Sequence, residues 1–230
     1  MRCARRRNRS FASALAPSQS GVRVVVCSGG PIAPTAAGIG WSGEFIVVAA
    51  DSGFDRARAL GLRVDLVVGD FDSLSDEARG ELERMGAAVE RHAVAKDATD
   101  LELALDAALR FGPAEIRVVG SSNGRVDQAF GELLLIAHPK YAGVPIDLVT
   151  EDALVHVVRG SRTFAGVPGA TISLFPVHGD ATGVTTEGLL YPLTDETLAL
   201  GATRGVSNEF AAEHVEIAVA GGVLIAVRPL

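Results

Sequence analysis

The chain has 230 residues, 48% of them hydrophobic and 21% charged, enough apolar material for a packed core and too much for a disordered chain. No apolar run approaches the roughly 18 residues of a membrane span, two cysteines (Cys3, Cys27) cannot build a disulfide framework, and the five histidines lack zinc-ligand spacing, so a reducing, cytoplasmic setting without membrane contact is expected. Five arginines crowd the first ten residues; beyond them 16 basic residues face 28 acidic ones, a charge of −12 that disfavours nucleic acid as a partner and suits cations.

Residues 1–20 hold no acid and are rich in Arg, Ser and Ala. They read as a disordered basic tail, dispensable for folding and catalysis, and the apolar stretch from Phe11 to Ala16 is too short for a secretory signal. From Val22 the texture changes. Val22–Cys27, Phe45–Ala50, Asp65–Val68, Glu115–Val119 and Ile146–Val149 are short apolar runs typical of buried strands. Helical patterns lie between them. One runs from Asp76 to Met85 behind the cap residue Ser75. A second opens on the capping box Thr99-Asp100-Leu101-Glu102 and runs to about Arg110, stopped by Gly112-Pro113. A third runs from Asp127 to Ala137, ahead of Pro139. Strand–helix alternation over residues 21–152 predicts an α/β domain with a doubly wound, Rossmann-like, mostly parallel sheet.

Beyond Asp152 the helical patterns stop. Leu154–Val158, Thr171–Phe175, Leu198–Leu200, His214–Val219 and Val223–Val227 are strand-like, with Ala220-Gly221-Gly222 as a tight hairpin turn between the last two. Residues 153–230 are therefore expected to form a small antiparallel β-sandwich.

Ligands of a doubly wound sheet bind outside the carboxyl ends of its strands, and small residues and acids recur there. The loops are Ser28-Gly29-Gly30, Asp51-Ser52-Gly53, Gly69-Asp70-Phe71-Asp72-Ser73, Lys96-Asp97-Ala98-Thr99-Asp100 and Gly120 to Gln128. Asp70 and Asp72, two positions apart in an extended loop, can share a hard cation such as Mg²⁺, which takes few protein carboxylates and fills its shell with water and phosphate oxygens. The same acids can instead cap the next helix, and the motif by itself leaves both roles open. Lys96 and Lys140 are the only lysines among 21 basic residues, and Lys96 precedes a helix N-terminus suited to phosphate. Arg125 and Asp127 open the third helix, either as a turn with its cap or as groups for a phosphate and a substrate hydrogen bond. The P-loop pattern, Gly-x-Gly-x-x-Gly and Gly-x-Ser-x-Gly are all absent.

Taken in order, Ala50-Asp51-Ser52-Gly53, Val68 to Ser73, Lys96 to Leu105, Gly124-Arg125-Val126-Asp127-Gln128, Val184 to Leu193 and Gly205-Val206-Ser207-Asn208-Glu209 resemble the motifs of the thiamine pyrophosphokinase family over about residues 22–228. The resemblance implies conversion of ATP and thiamine to AMP and thiamine diphosphate with Mg²⁺. It also implies a homodimer whose sites are shared between the α/β domain of one subunit and the β domain of the other. By the same resemblance Asp70, Asp72 and Asp100 handle metal and phosphates. Asp51, Lys96 and Asp97 line the nucleotide site; from the residues themselves, Ser73, Thr99 and Arg125 are expected to add contacts to phosphate. Asp127 and Gln128 face the substrate, Tyr191 stacks on thiamine, and Ser207 and Asn208 belong to the second β-domain signature. Ser52 departs from the family's usual glycine, Gln128 from a histidine common in bacterial members, and Ser121-Ser122-Asn123 from a more glycine-rich loop. Two alternatives are diphosphate transfer to another alcohol, such as a hydroxymethyl-pterin, which would leave the metal loop unchanged, and non-catalytic binding of nucleotide or thiamine by a regulator, which would need no metal cluster and is disfavoured by the intact acids.

Overall fold

The computed structural model describes residues 21–31, 40–71, 80–82, 84, 86–93 and 97–230. The basic tail, most of the helix expected from Asp76 to Met85, and Asp72, Ser73 and Lys96 lie outside the described residues.

Five parallel strands form where the sequence has its short apolar runs: β1 (Arg23–Cys27), β2 (Ile46–Ala50), β3 (Leu66–Gly69), β5 (Glu115–Val119) and β6 (Ile146–Val149). A sixth, β4 (Ala88–Arg91), pairs parallel to β3 at the sheet edge. It escapes a search for apolar runs because an edge strand needs no continuous buried face, and Val89 is 46% exposed. The helices are α1 (Gly53–Ala59), α2 (Asp100–Leu109) and α3 (Val126–Ile136). Thr99 caps α2 as its position predicts, its hydroxyl accepting the Glu102 N–H at 3.2 Å. The carboxylate of Glu102 is engaged by Lys140 at 3.3 Å, and the same exposed ammonium reaches Asp106 at 2.7 Å. The seven residues of α1 were not anticipated; a helix opening on Gly53 carries no propensity signal, and tertiary packing makes it. A Cβ on Gly53 would stand 2.0 Å from the Cys27 carbonyl oxygen, so glycine there lets α1 press on the end of β1.

Through the parallel half the strand order is β6-β5-β1-β2-β3-β4. From β1 the chain moves outward through β2, β3 and β4, then returns to the other side of β1 with β5 and β6. The direction of winding reverses between β1 and β5, the switch point of a doubly wound sheet. On the far side, β7 (Ala153–Ala165) pairs antiparallel with β6, so the sheet continues into the β half. There β7, β8 (Thr171–Glu187) and β11 (His214–Pro229) are 13, 17 and 16 residues long, with the short β9 (Glu196–Leu198) and β10 (Asn208–Glu209) beside β8. The hairpin expected at Ala220-Gly221-Gly222 is absent. One strand runs through it with a register shift between Val219 and Leu224 against β7. Gly160 and Gly222, at φ +74° and +88°, sit in the same bend, which folds the long strands over a core of Val158, Phe164, Leu174, Ala181, Val184, Phe210 and Ile217. This is the α/β fold plus antiparallel sandwich that the sequence predicts.

A buried ionic cluster sits where parallel pairing gives way to antiparallel. Asp147 of β6 faces His156 of β7 in register; its carboxylate lies 3.1 Å from His156 Nδ1 and accepts from Arg162 at 2.7 and 3.2 Å, with Arg117 3.9 Å away. Burial pushes the Asp147 carboxyl upward, but His156 and Arg162 more than offset this and hold it well below the usual carboxylate range. Burial drives the His156 imidazole below its ordinary value.

Candidate active site

At the carboxyl ends of β1, β2 and β3, facing the N-termini of α2 and α3, lies a cleft of about 810 Å³. It spans the switch point. Loops far apart in sequence converge on it: Ser28, Gly29 and Gly30 after β1, Asp51 and Ser52 after β2, Asp70 after β3, Thr99 to Glu102 at the start of α2, and Arg125, Asp127 and Gln128 at the start of α3.

The acids after β2 and β3 are held by strained, closely packed backbone. Asp51 is 9% exposed with φ +43°, in the left-handed region that non-glycine residues rarely enter. Its N–H donates to the Val68 carbonyl at 2.8 Å. A Cβ on Gly69 would lie 2.9 Å from the Asp51 Cβ, so the β3 loop can approach Asp51 only through glycine. Phe71 also has φ +64°, yet it is 3% exposed, packs in the core under α1 and has the Arg91 guanidinium 5.4 Å over its ring. The phenylalanine anchors the loop and sets Asp70 at the cleft wall. Such strain persists only where its surroundings over-determine it.

On the α2 side, the helix N-terminus that holds Thr99 and Asp100 presents backbone N–H groups to the cleft. Asp97, one turn earlier, is exposed and outside the lining. On the α3 side, Arg125 and Asp127 are largely exposed and bonded to one another, Nε to Oδ1 at 3.1 Å. That bond draws the Asp127 carboxyl below and the Arg125 guanidinium above their ordinary values. The approach to α3 is fixed from beneath by Glu151, which accepts from Ser121 Oγ at 2.8 Å and from the Ser122 and Asn123 N–H groups at 3.1 and 3.2 Å. Partial burial raises the Glu151 carboxyl, but its own backbone N–H, followed by these donors, outweighs it and brings it down to about 2. Side chains of Ser and Asn, bonded to Glu151, thus do the work of a glycine-rich loop.

Ser52 packs closely on the β1 loop: a Cβ on Gly29 would sit 2.6 Å from its Oγ. Two charged groups at the cleft went unrecognised in the sequence. Glu132 lines it, and burial raises its carboxyl despite a hydrogen bond from Ser28 and the charge of Arg56. It lies four residues after Gln128, so helical periodicity puts both on one face. Arg56 is buried under the loops; nothing in a sequence distinguishes a buried arginine from an exposed one.

Tyr191, Ser207 and Asn208 do not line the cleft. Tyr191 is 65% exposed. Asn208 clamps it through the backbone, accepting the Tyr191 N–H at 3.0 Å and donating to the Tyr191 carbonyl at 2.7 Å. Ser207, at φ +58°, forms the adjoining turn.

Asp70 and Asp100 supply hard oxygen donors on the cleft wall. Among the described residues no three His, Cys, Asp or Glu side chains converge to hold an ion by themselves. A sparse carboxylate set fits Mg²⁺, whose shell is completed by water and phosphate, and does not fit a zinc or calcium cage.

The comparisons with known proteins agree with this architecture. Residues 39–148 match the family model described as thiamin pyrophosphokinase, catalytic domain, and residues 156–224 match thiamin pyrophosphokinase, vitamin B1 binding domain. The thiamine pyrophosphokinase of Bacillus subtilis is 31% identical over 70% of this chain and 76% of its own length. Its crystal structure superposes with a TM-score of 0.79 at 27% identity, covering 90% of this chain and 98% of that one. The thiamin pyrophosphokinase of Geobacillus thermodenitrificans superposes with a TM-score of 0.77 at 29% identity, covering 91% and 98%. With both family models covering most of the chain and their junction falling where β6 hands over to β7, the chain belongs to the thiamine pyrophosphokinase family.

Proposed function

We propose that the cleft between β1, β2, β3 and the N-termini of α2 and α3 holds ATP, and that thiamine's primary hydroxyl attacks Pβ there, giving thiamine diphosphate and AMP. The observation that carries this reading is the convergence of Asp51, Asp70, Asp100, Arg125, Asp127 and Gln128 from separate loops on one cleft at the switch point.

Diphosphoryl transfer proceeds through a loose transition state, so catalysis is mainly positioning and charge neutralisation. Asp70 and Asp100, with Asp72 as the third carboxylate that the family motif supplies, would hold Mg²⁺, which when bound would neutralise charge on the phosphate oxygens. The α2 N-terminus adds backbone donors and Lys96 a compact charge. Arg125 turns from Asp127 to a phosphate oxygen. The released Asp127 carboxylate is ionised and accepts the thiamine hydroxyl proton, and a loose transition state asks for no stronger base. Gln128 orients the acceptor.

Among the described residues no aromatic side chain lines the cleft to stack on the thiamine ring. Tyr191 is exposed beside Leu190, and Val126 and Phe130 on α3 are 83% and 63% exposed. A homodimer covers these apolar groups and brings the partner's β half, with Tyr191, to the cleft, where the ring stacks on the thiazolium cation. The test is AMP formation from ATP and Mg²⁺ with thiamine, with a hydroxymethyl-pterin and without acceptor. AMP only with thiamine supports the reading; AMP with the pterin, or none with any acceptor, contradicts it.

A further inference from the structure

Arg56 of α1 is 1% exposed. Its hydrogen bonds all end on main-chain carbonyls: Nε donates to Ser28 O at 2.9 Å, Nη1 to Gly120 O at 2.9 Å, and Nη2 to Gly29 O at 3.0 Å and Pro31 O at 2.9 Å. These carbonyls belong to the loops after β1 and β5, the two strands that flank the switch point. One planar guanidinium therefore ties together both lips of the crevice where a ligand binds. Burial costs such a cation heavily, and Glu132 and Glu151 nearby offset part of it. A packing role alone would be met better by an apolar side chain.

The consequence lies on the opposite side of the loop. Among the described residues there are no cis peptide bonds, so each of these carbonyls points opposite to the N–H of the next residue. With the Ser28 and Gly29 carbonyls drawn inward to Arg56, the N–H groups of Gly29 and Gly30 face the other way. Both glycines line the cleft. Gly30 has φ +97°, a conformation that lets successive amides converge as an anion-binding nest.

We propose that Arg56 is a positioning residue for the reaction: it turns the Gly29 and Gly30 amides into the cleft as a cradle for phosphate oxygens of ATP. The proposal rests on the reading that ATP occupies this cleft. Arg56 itself stays beneath the loop, adding positive charge below the bound anion. Lysine is no substitute, because three donors on a flexible stem cannot hold four carbonyls of two loops in one plane.

The probe is tripolyphosphate, added without metal or thiamine to the ¹⁵N-labelled full chain. The Gly29 and Gly30 amide resonances are expected to shift on saturation, while those of the distant Gly112 and Gly169 stay in place. In Arg56→Lys, the tripolyphosphate Kd and the KM for ATP are expected to rise about ten-fold or more, with KM for thiamine within about two-fold of wild type. A merely structural role would lower the melting temperature without splitting the two KM values. Unmoved Gly29 and Gly30 resonances at saturation, or a folded Arg56→Lys that binds tripolyphosphate like wild type, would overturn the proposal. Should Arg56→Lys not fold, the wild-type titration decides. Tripolyphosphate binding needs no acceptor, so failure of the cradle and failure of thiamine turnover are read by separate assays.

Discussion

Gly69→Ala tests how tightly the acid loops are built. The added methyl would stand 2.9 Å from the Asp51 Cβ, 3.2 Å from its Cα and 3.3 Å from Oδ1. The first of these is shorter than any relaxed carbon–carbon contact, and the groups it meets are not the far end of a flexible chain. Asp51 cannot give way cheaply, since its backbone is already at φ +43° and its N–H is tied to β3. Overpacking of this kind costs about 1–3 kcal/mol. For a chain of this size that lowers Tm by about 2–12 °C. The loops carrying Asp51 and Asp70 must also part, and a displacement approaching 1 Å at reacting groups lowers kcat/KM by about 10²-fold. Gly143→Ala is the control, because the methyl there meets nothing within 4 Å, and Tm should stay within about 1–2 °C. Differential scanning calorimetry and steady-state kinetics read both effects. A Gly69→Ala protein with wild-type Tm and kcat/KM would refute the argument that this glycine exists to let the two loops touch.

Other consequences can be measured in the same assays. Asp100→Asn keeps the shape of the α2 N-terminus but removes charge from the metal side of the cleft; kcat should fall about 10²-fold or more with the circular dichroism spectrum unchanged, and near wild-type kcat at saturating Mg²⁺ would remove Asp100 from that role. Tyr191→Ala should raise KM for thiamine about ten-fold while KM for ATP holds; mixing it with Asp100→Asn should restore activity in heterodimers, and verified heterodimers without recovery would count against a shared site. Acid should destabilise the fold in two stages. His156 is pushed down by burial, so below about pH 6.5 the unfolded chain takes up that proton first and stability falls as pH drops. Asp147 is held down by His156 and Arg162 against its burial, so its contribution is present above about pH 4 and fades below that. A His156→Gln chain should lose the Tm slope between about pH 7 and about pH 5.5; an unchanged slope would assign it to other groups.

The parallel half was legible because a strand buried on both faces is mostly apolar: β2 and β3 carry no charged residue, β1 and β6 carry one each (Arg23, Asp147), and β5 keeps its apolar run despite Glu115 and Arg117. The capped start of α2 was legible because Thr99 has a local job. The edge strand β4, with Glu90 and Arg91 in its four residues, and the short helix α1 are made by tertiary pairing and carry little local signal. The misread turn at Ala220-Gly221-Gly222 has a physical cause: two glycines between apolar runs serve a hairpin and a bent strand equally, and only pairing to both neighbours distinguishes them. At the site, the acids announced themselves by recurring after strands. Arg56 did not, because its partners are backbone carbonyls, which every residue has. Glu132 did not, because its distinction is burial.

The most direct test follows the phosphorus atoms. ATP labelled at the β-phosphate, given thiamine and Mg²⁺, should deliver its label to thiamine diphosphate, while ATP labelled at the α-phosphate should yield labelled AMP. Appearance of ADP with thiamine monophosphate would place the attack at Pγ and contradict diphosphoryl transfer in this cleft.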